Sequence, residues 1–218
     1  MHDEVAGEKR EAVSAAELFD GLGIAYERAF GRIPAQVEAV DWLAGRLAPG
    51  ARVLDVGSGT GRPVADRLVR AGYEVTGIDV STVMVELARA QVPGARFEWV
   101  DVRDFEPDGP YDAVCGFFPL LMMSRREAAA ALRRMAGWLA PGGHLVTATV
   151  PADVDGVEIE WMGRPVRVSS FSTDAYLRLL REDCGLEVLH DSVSLFLPDG
   201  GPASPEEHLF CYARRPDA

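Results

Sequence analysis

Gly57, Gly59 and Gly61 alternate along a short stretch that lies between two carboxylates, Asp55 and Asp79. Glycines in that pattern let the backbone turn sharply and approach a ligand with no Cβ in the way. Asp55 stands two residues before the first glycine, where a carboxylate would repel a pyrophosphate and attract an ammonium group. Asp79 follows Gly61 by 18 residues and ends the apolar segment Glu74–Asp79. A carboxylate at such a strand end can accept both hydroxyls of a ribose. The spacing is Gly-x-Gly-x-Gly, because position 62 is Arg, and not the Gly-x-Gly-x-x-Gly of dinucleotide sites. These residues therefore suit a ligand with a ribose and an ammonium group and without a phosphate.

The elements that must position them can be read outward from the loop. Val53, Leu54 and Val56 form the apolar run of a buried parallel strand, and Pro63 suits the first turn of a helix. Strand, glycine loop and helix then aim backbone N–H groups into a crevice at the strand's carboxyl end. Upstream, Ser14-Ala-Ala-Glu17 is a capping box that predicts a helix to Phe30, with Leu18, Phe19, Leu22, Tyr26 and Phe30 on its core side and Gly21 and Gly23 weakening it. Pro34 opens a second helix, which Pro49-Gly50 ends. Downstream, strands are predicted at Glu74–Asp79, Arg96–Val100, Tyr111–Cys115 and His144–Val150, separated by helices at 63–70, 81–91 and from the capping box Ser124-Arg-Arg-Glu127 to Pro141-Gly142. Strands alternating with helices imply a parallel sheet covered on both faces. Residues 151–171 break the alternation with a predicted hairpin, Val157–Trp161 and Pro165–Ser169. A helix at Thr173–Cys184 follows, and then two strands, Leu186–Leu197 and His208–Ala213, joined by the loop Pro198–Pro205. With no helix between them, those two strands must pair antiparallel. Residues 1–10 are expected to be a frayed tail.

A ligand with a ribose, an ammonium and no phosphate is S-adenosylmethionine, and at this point the chain resembles a class I S-adenosylmethionine-dependent methyltransferase of the small-molecule type. The resemblance rests on the Asp55-to-Gly61 loop and Asp79, covers residues 30–150 and extends more weakly to the C-terminus. It implies an α/β fold: a doubly wound, Rossmann-like seven-stranded sheet, mostly parallel with one antiparallel strand, plus N-terminal helices and a lid insertion. Within one domain, 1–218, it implies an N-terminal helical cap (1–48), a cofactor-binding core (49–150), the lid (151–171) and a C-terminal helix and hairpin (172–218). It further implies that Gly57, Ser58 and Gly59 pass under the methionine moiety, that Asp55 faces the ammonium and that Asp79 takes the ribose hydroxyls. Val80 and Met84 would pack on the adenine, with Asp101 accepting from its amino group and the Val102 backbone N–H donating to a ring nitrogen. Phe117 and Tyr26 would complete the cofactor site.

The loop after the 111–115 strand, Gly116-Phe-Phe-Pro-Leu-Leu-Met-Met123, lies in such a fold where the methyl group leaves the sulfur. It contains neither Asp-Pro-Pro-Tyr nor Asn-Pro-Pro-Tyr, nor a Pro-Cys pair, the signatures of nucleic-acid methylation. Its apolar, aromatic character suits a flat or greasy small acceptor. Phe118, Leu121, Met122, Trp161 and Arg164 are the expected substrate contacts, while Leu120 and Met123 are expected in the core. Arg164 and Arg167 would hold a substrate carboxylate or lie exposed in the turn. No general base stands out: His144, His190 and His208 read as structural histidines, Cys115 is a nucleophile only by location, and Asp153, Asp155, Glu158 and Glu160 read as solvated. Methyl transfer from a sulfonium proceeds by alignment in a water-poor cleft even without a base.

Composition narrows the partners. The net charge of −12 over 218 residues argues against broad binding to nucleic acid or anionic lipid. The charged N-terminus lacks the apolar region of a signal peptide, and no apolar run is long enough to span a membrane. Cys115, Cys184 and Cys211 are scattered, which fits free thiols in the cytoplasm and no metal site. The acceptor, the methylated atom and the oligomeric state stay open. So do two other functions for the same cofactor site: a binding protein that transfers nothing, and an enzyme that uses the sulfonium charge for a rearrangement or cyclisation. A nicotinamide oxidoreductase is the reading furthest from these residues.

Overall fold

The computed structural model describes residues 11–197 and 205–217; the expected frayed tail and residues 198–204 of the predicted loop lie outside them. The first capping box forms as read. The Ser14 hydroxyl accepts from Glu17 N, the Glu17 carboxylate accepts from Ser14 N at 2.9 Å, and α1 runs over Ala15–Leu22. The predicted single helix is broken at Gly23, whose φ of +46° is left-handed backbone that favours glycine. Beyond it lie α2 (Ile24–Phe30) and α3 (Pro34–Ala44). The core follows as β1 (Arg52–Val56), α4 (Val64–Arg70), β2 (Glu74–Asp79), α5 (Thr82–Gln91), β3 (Arg96–Trp99), β4 (Tyr111–Phe117), α6 (Arg125–Gly137) and β5 (Leu139–Thr149). The insertion is the hairpin β6 (Val157–Trp161) and β7 (Arg164–Val168). Then come α7 (Thr173–Arg178), β8 (Glu187–Phe196) and β9 (Glu206–Arg214).

Seven strands form one sheet in the order β3-β2-β1-β4-β5-β9-β8. The first five are parallel, and β9 is antiparallel to both its neighbours. The fold is therefore the expected Rossmann-like sheet with one reversed strand. Alternation along each strand divides the core into two layers. Leu54, Val114, Leu145 and Leu209 face α6 and α7. Val53, Cys115, Val146 and Phe210 face the side of α3, α4 and α5.

Some boundaries differ for local reasons. β5 begins at Leu139, not His144, because residues 140–143 bulge out between Tyr111↔Leu139 and Ala113↔His144. That bulge is held to the C-terminal segment by Gly142 N to Arg215 O at 3.0 Å and Arg215 N to Gly143 O at 2.8 Å. β4 continues two residues further than predicted, to Phe117. The helix predicted over Thr173–Cys184 changes to π-helical pairing at Leu179–Asp183. Among the described residues no helix is long and apolar enough to cross a membrane.

Candidate active site

The glycine loop is tied to the end of β2. Gly57 N and Ser58 N both donate to Ile78 O, at 2.8 and 3.0 Å, and Gly59 N donates to Asp79 Oδ2 at 2.9 Å. Asp79 Oδ1 accepts from Ser81 N at 2.9 Å. The carboxylate thus keeps acceptor capacity for a ligand hydroxyl. At Gly57 (φ +68°) an added Cβ would meet Pro119 Cβ at 2.6 Å, whereas at Gly59 nothing lies within 4 Å. The first glycine is needed for packing and the second leaves an open cradle over the loop.

Asp55 lies at the bottom of this cleft, 2% exposed. Its Oδ1 accepts weakly from the Cys115 thiol at 3.6 Å, and its buried Oδ2 has no hydrogen-bond partner. Burial pushes its carboxyl up to about 7; the Cys115 contact opposes this and the Asp79 charge adds to it. Burial also raises Asp79, against the hydrogen bonds from Ser81, Gly59 and Val80. Two carboxyls destabilised in their charged forms, one with an empty acceptor site, are a place prepared for a cation. Burial raises the Cys115 thiol well above its ordinary range, so it is neutral and no nucleophile.

The N-terminal helices close over the cleft through polar contacts. Glu27 on α2 accepts from the Thr60 hydroxyl at 2.6 Å and from Gln91 Nε2 at 2.9 Å. Asp20 on α1 accepts from the Ser81 hydroxyl at 2.6 Å and from Val83 N at 3.2 Å, which places a carboxylate at the N-terminus of α5, where the helix dipole favours it. Tyr26 and Phe30 then line the cleft on one side and a second cavity, of about 320 Å³, on the other.

The second cavity is built from three elements that the sheet brings to one rim. The hairpin register pairs Val157↔Val168, Ile159↔Val166 and Trp161↔Arg164, and directly opposite residues share a face. Val157, Ile159, Trp161, Val166 and Val168 accordingly line the cavity. The loop after β4 contributes Phe118, Leu121 and Met122. Trp161 stacks on Phe30 at 5.3 Å and lies 6.3 Å from both Tyr26 and Phe19, so hairpin and N-terminal helices meet ring against ring. Glu206 and His208 come from the start of β9.

The family comparison agrees with this arrangement. A model of the methyltransferase domain matches residues 53–143, from β1 into β5. The chain is 33% identical over 169 residues to 27-O-demethylrifamycin SV methyltransferase of Amycolatopsis mediterranei, covering 70% of this chain and 61% of that one. It is 37% identical over 102 residues to trans-aconitate 2-methyltransferase of Methylobacterium nodulans, covering 45% and 38%. Residues 53–143 are therefore a methyltransferase domain, set in the fold of the class I S-adenosylmethionine-dependent methyltransferases. Among solved structures, 1,6-didemethyltoxoflavin-N1-methyltransferase of Burkholderia thailandensis, determined with bound 1,6-didemethyltoxoflavin and S-adenosylhomocysteine, superposes with a TM-score of 0.70 at 18% identity, covering 95% of this chain and 93% of that one. That likeness extends the shared fold to β8 and β9. The chain spans between 30% and 48% of the length of the first curated relatives it matches.

Of the residues expected around the methyltransferase cofactor, Asp55, Gly57, Ser58, Gly59, Phe117 and Tyr26 line one cleft, with Asp79 hydrogen-bonded to its loop. Val80 is half-buried, and its carbonyl accepts from the indole of the exposed Trp99 at 2.9 Å, an aromatic neighbour that the sequence reading passed over. Met84 is buried, 1% exposed, and its N–H donates to the capping Ser81 hydroxyl at 3.1 Å at the start of α5. Val102 is buried in the α6-side layer. Asp101 is held by Arg103, whose Nε and Nη2 donate to its two oxygens at 3.0 and 2.7 Å. Burial raises its carboxyl, but these hydrogen bonds outweigh that and hold it low.

Of the expected substrate contacts, Phe118, Leu121, Met122 and Trp161 line the cavity. Arg164 does not: it is exposed at the hairpin tip, with Nη2 3.8 Å from where a Cβ on Gly21 would sit. Arg167 is on the hairpin's outer face, paired with Glu158 at 2.8 Å. Asp153 pairs with Arg125, not with anything in the cavity. Leu120 and Met123 pack on the core as expected. Glu206, assigned no role by sequence reasoning, and His208, read as a structural histidine, stand in the cavity wall; a histidine at the head of the apolar run Leu209–Ala213 is the local signal.

Proposed function

We propose that the chain transfers a methyl group from S-adenosylmethionine to a small, flat, apolar acceptor bound in the 320 Å³ cavity. The observation that carries this reading is the shared wall: Tyr26 and Phe30 face both the cofactor cleft and the cavity. The cofactor supplies an activated methyl group on a positively charged sulfur. Asp55 receives the ammonium through its unpartnered Oδ2, Gly57, Ser58 and Gly59 carry the methionine moiety, and Asp79 accepts from the ribose hydroxyls. Val80, the Val102 N–H and the remaining lone pairs of Asp101 hold the adenine. Phe118, Leu121, Met122 and Trp161 orient the acceptor and exclude water, so that alignment and desolvation supply the acceleration. The names of its relatives, which act on a demethylrifamycin and on trans-aconitate, support a small organic acceptor. The division into helical cap, cofactor core, hairpin lid and C-terminal hairpin belongs to the same reading, as does a cytoplasmic setting in which Cys115, Cys184 and Cys211 stay reduced and no nucleic acid partner is used.

The test is incubation with methyl-labelled S-adenosylmethionine and a panel of flat aromatic and alicyclic acceptors. The expected result is labelled product with stoichiometric S-adenosylhomocysteine. Cofactor binding with no label transferred to any acceptor would make the chain a binding protein. Altered product without S-adenosylhomocysteine would make it a rearrangement enzyme.

A further inference from the structure

Among the described residues His208 is the only titratable ring in the acceptor cavity wall besides Tyr26, and its surroundings are unusual. Its side chain is 3% exposed and sits between two phenyl rings, Phe118 with centroids 4.4 Å apart and Phe196 at 5.1 Å. Nε2 lies 3.4 Å from Glu206 Oε2. Nδ1 is buried with no hydrogen-bond partner. A buried ring nitrogen left unpaired is costly, and it persists where a ligand or water completes it. The one other unpartnered buried polar atom of the cavity wall among the described residues is Ser170 Oγ; Ser169 Oγ already accepts from Gly156 N at 3.0 Å.

The position follows from topology. β9 is the reversed strand, so its beginning lies at the rim where β1, β2 and β4 end. Phe210 pairs with Ala148 of β5, which pairs with Phe117 at the end of β4. His208 is two residues before Phe210, on the same face of the sheet. With the Nε2–H donating to Glu206, the Nδ1 lone pair is left free as a proton acceptor.

We infer that His208 receives the hydroxyl of the acceptor and takes its proton during methyl transfer, and that the acceptor is a flat phenolic compound. This rests on the methyltransferase reading above. A neutral amine already presents its lone pair and needs no base before attack. An aliphatic alcohol is far too weak an acid for imidazole, whereas a phenol, with a pKa near 10 against about 6.5 for histidine, is within reach. The stacked rings of Phe30 and Trp161 fit a flat aromatic body. In the step, the acceptor O–H bond breaks and its proton goes to Nδ1. The electron pair left on oxygen forms the new O–C bond, the C–S bond breaks, and sulfur keeps its electron pair as a neutral thioether. The imidazolium is balanced by Glu206.

The probe is 2-naphthol, with naphthalene as its hydroxyl-free counterpart, titrated by calorimetry into the full chain saturated with S-adenosylhomocysteine. The expected result is at least about tenfold tighter binding of the naphthol, lost in His208→Phe, which keeps the stacking between Phe118 and Phe196, and in His208→Asn. Transfer from labelled S-adenosylmethionine to 2-naphthol should fall by about a hundredfold or more in both variants, while S-adenosylhomocysteine affinity stays at the wild-type value and reports that they are folded. Equal affinity of the wild type for the two probes overturns the inference and leaves the cavity as an acceptor site. So does a preference that survives in His208→Phe, or one that disappears in Ser170→Ala instead. Naphthol that binds but is not methylated removes the proton-accepting role. Binding of neither probe removes the cavity as the acceptor site, and the inference falls with it.

Discussion

Asp55 is the side chain on which cofactor charge and protein stability meet. Its carboxyl is raised from 3.8 to about 7 in the folded, ligand-free chain. A folded pKa above the unfolded one means that the native state holds the proton more tightly. The group's stabilising contribution is therefore present at low pH and is lost as pH rises from about 4 to about 7. An ammonium at Oδ2 would reverse the shift. Cofactor binding at pH 6 should thus release protons, seen as a dependence of the calorimetric heat on the ionisation enthalpy of the buffer; heats independent of buffer at that pH would remove Asp55 from the ammonium site. Asp79→Ala tests the ribose end. Losing charge-assisted bonds worth about 1.5–3 kcal/mol each should weaken S-adenosylhomocysteine binding at least about tenfold in a variant that remains folded, because the residue lies at a strand end. An unchanged dissociation constant would place the ribose elsewhere.

The hairpin and the N-terminal helices enclose the cavity from two directions. α1 and α2 are held to the cofactor side by Asp20 on Ser81 and by Glu27 on Thr60. β6 and β7 are held to those helices by the rings of Trp161, Phe30, Tyr26 and Phe19, and by Val13 N donating to Pro165 O at 3.0 Å. Trp161 lines the cavity and not the cofactor cleft. Trp161→Ala is expected to raise the Michaelis constant for the acceptor, or to lower the rate, with cofactor affinity nearly constant. Paired acceptor kinetics and cofactor calorimetry check this. Wild-type values in both, or failure of cofactor binding alone, would make Trp161 a packing residue and not part of an acceptor lid.

At the level of the whole molecule, the cofactor should act as a clamp between the sheet and its helical cap. A ligand that binds only the native state, at 100 times its dissociation constant, stabilises by about 2.7 kcal/mol, which for a domain of this size moves the melting temperature by roughly 5–10 °C. S-adenosylmethionine and S-adenosylhomocysteine should both produce such a rise, and NAD none, since Asp55 opposes a pyrophosphate over the glycine loop. A rise with NAD and none with either sulfur nucleoside, in a thermal melt monitored by circular dichroism, would reverse the choice of cofactor.

What the sequence alone determined is what chain neighbours decide. The two capping boxes, the glycine loop between Asp55 and Asp79, the strand–helix alternation and the hairpin each depend on residues close together, so their spacing was enough to read them. What lay beyond it depends on register between distant strands. Arg164 and Arg167 were candidates for a substrate carboxylate until pairing across the hairpin put one at its tip and the other on its outer face. His208 reads as structural because its neighbours in the chain, Glu206 and Glu207 before it and an apolar run after it, look like the ordinary start of a strand. Only the reversal of β9, and its pairing beside β5, carries the start of that strand to the rim where Phe118 and the hairpin enclose the cavity.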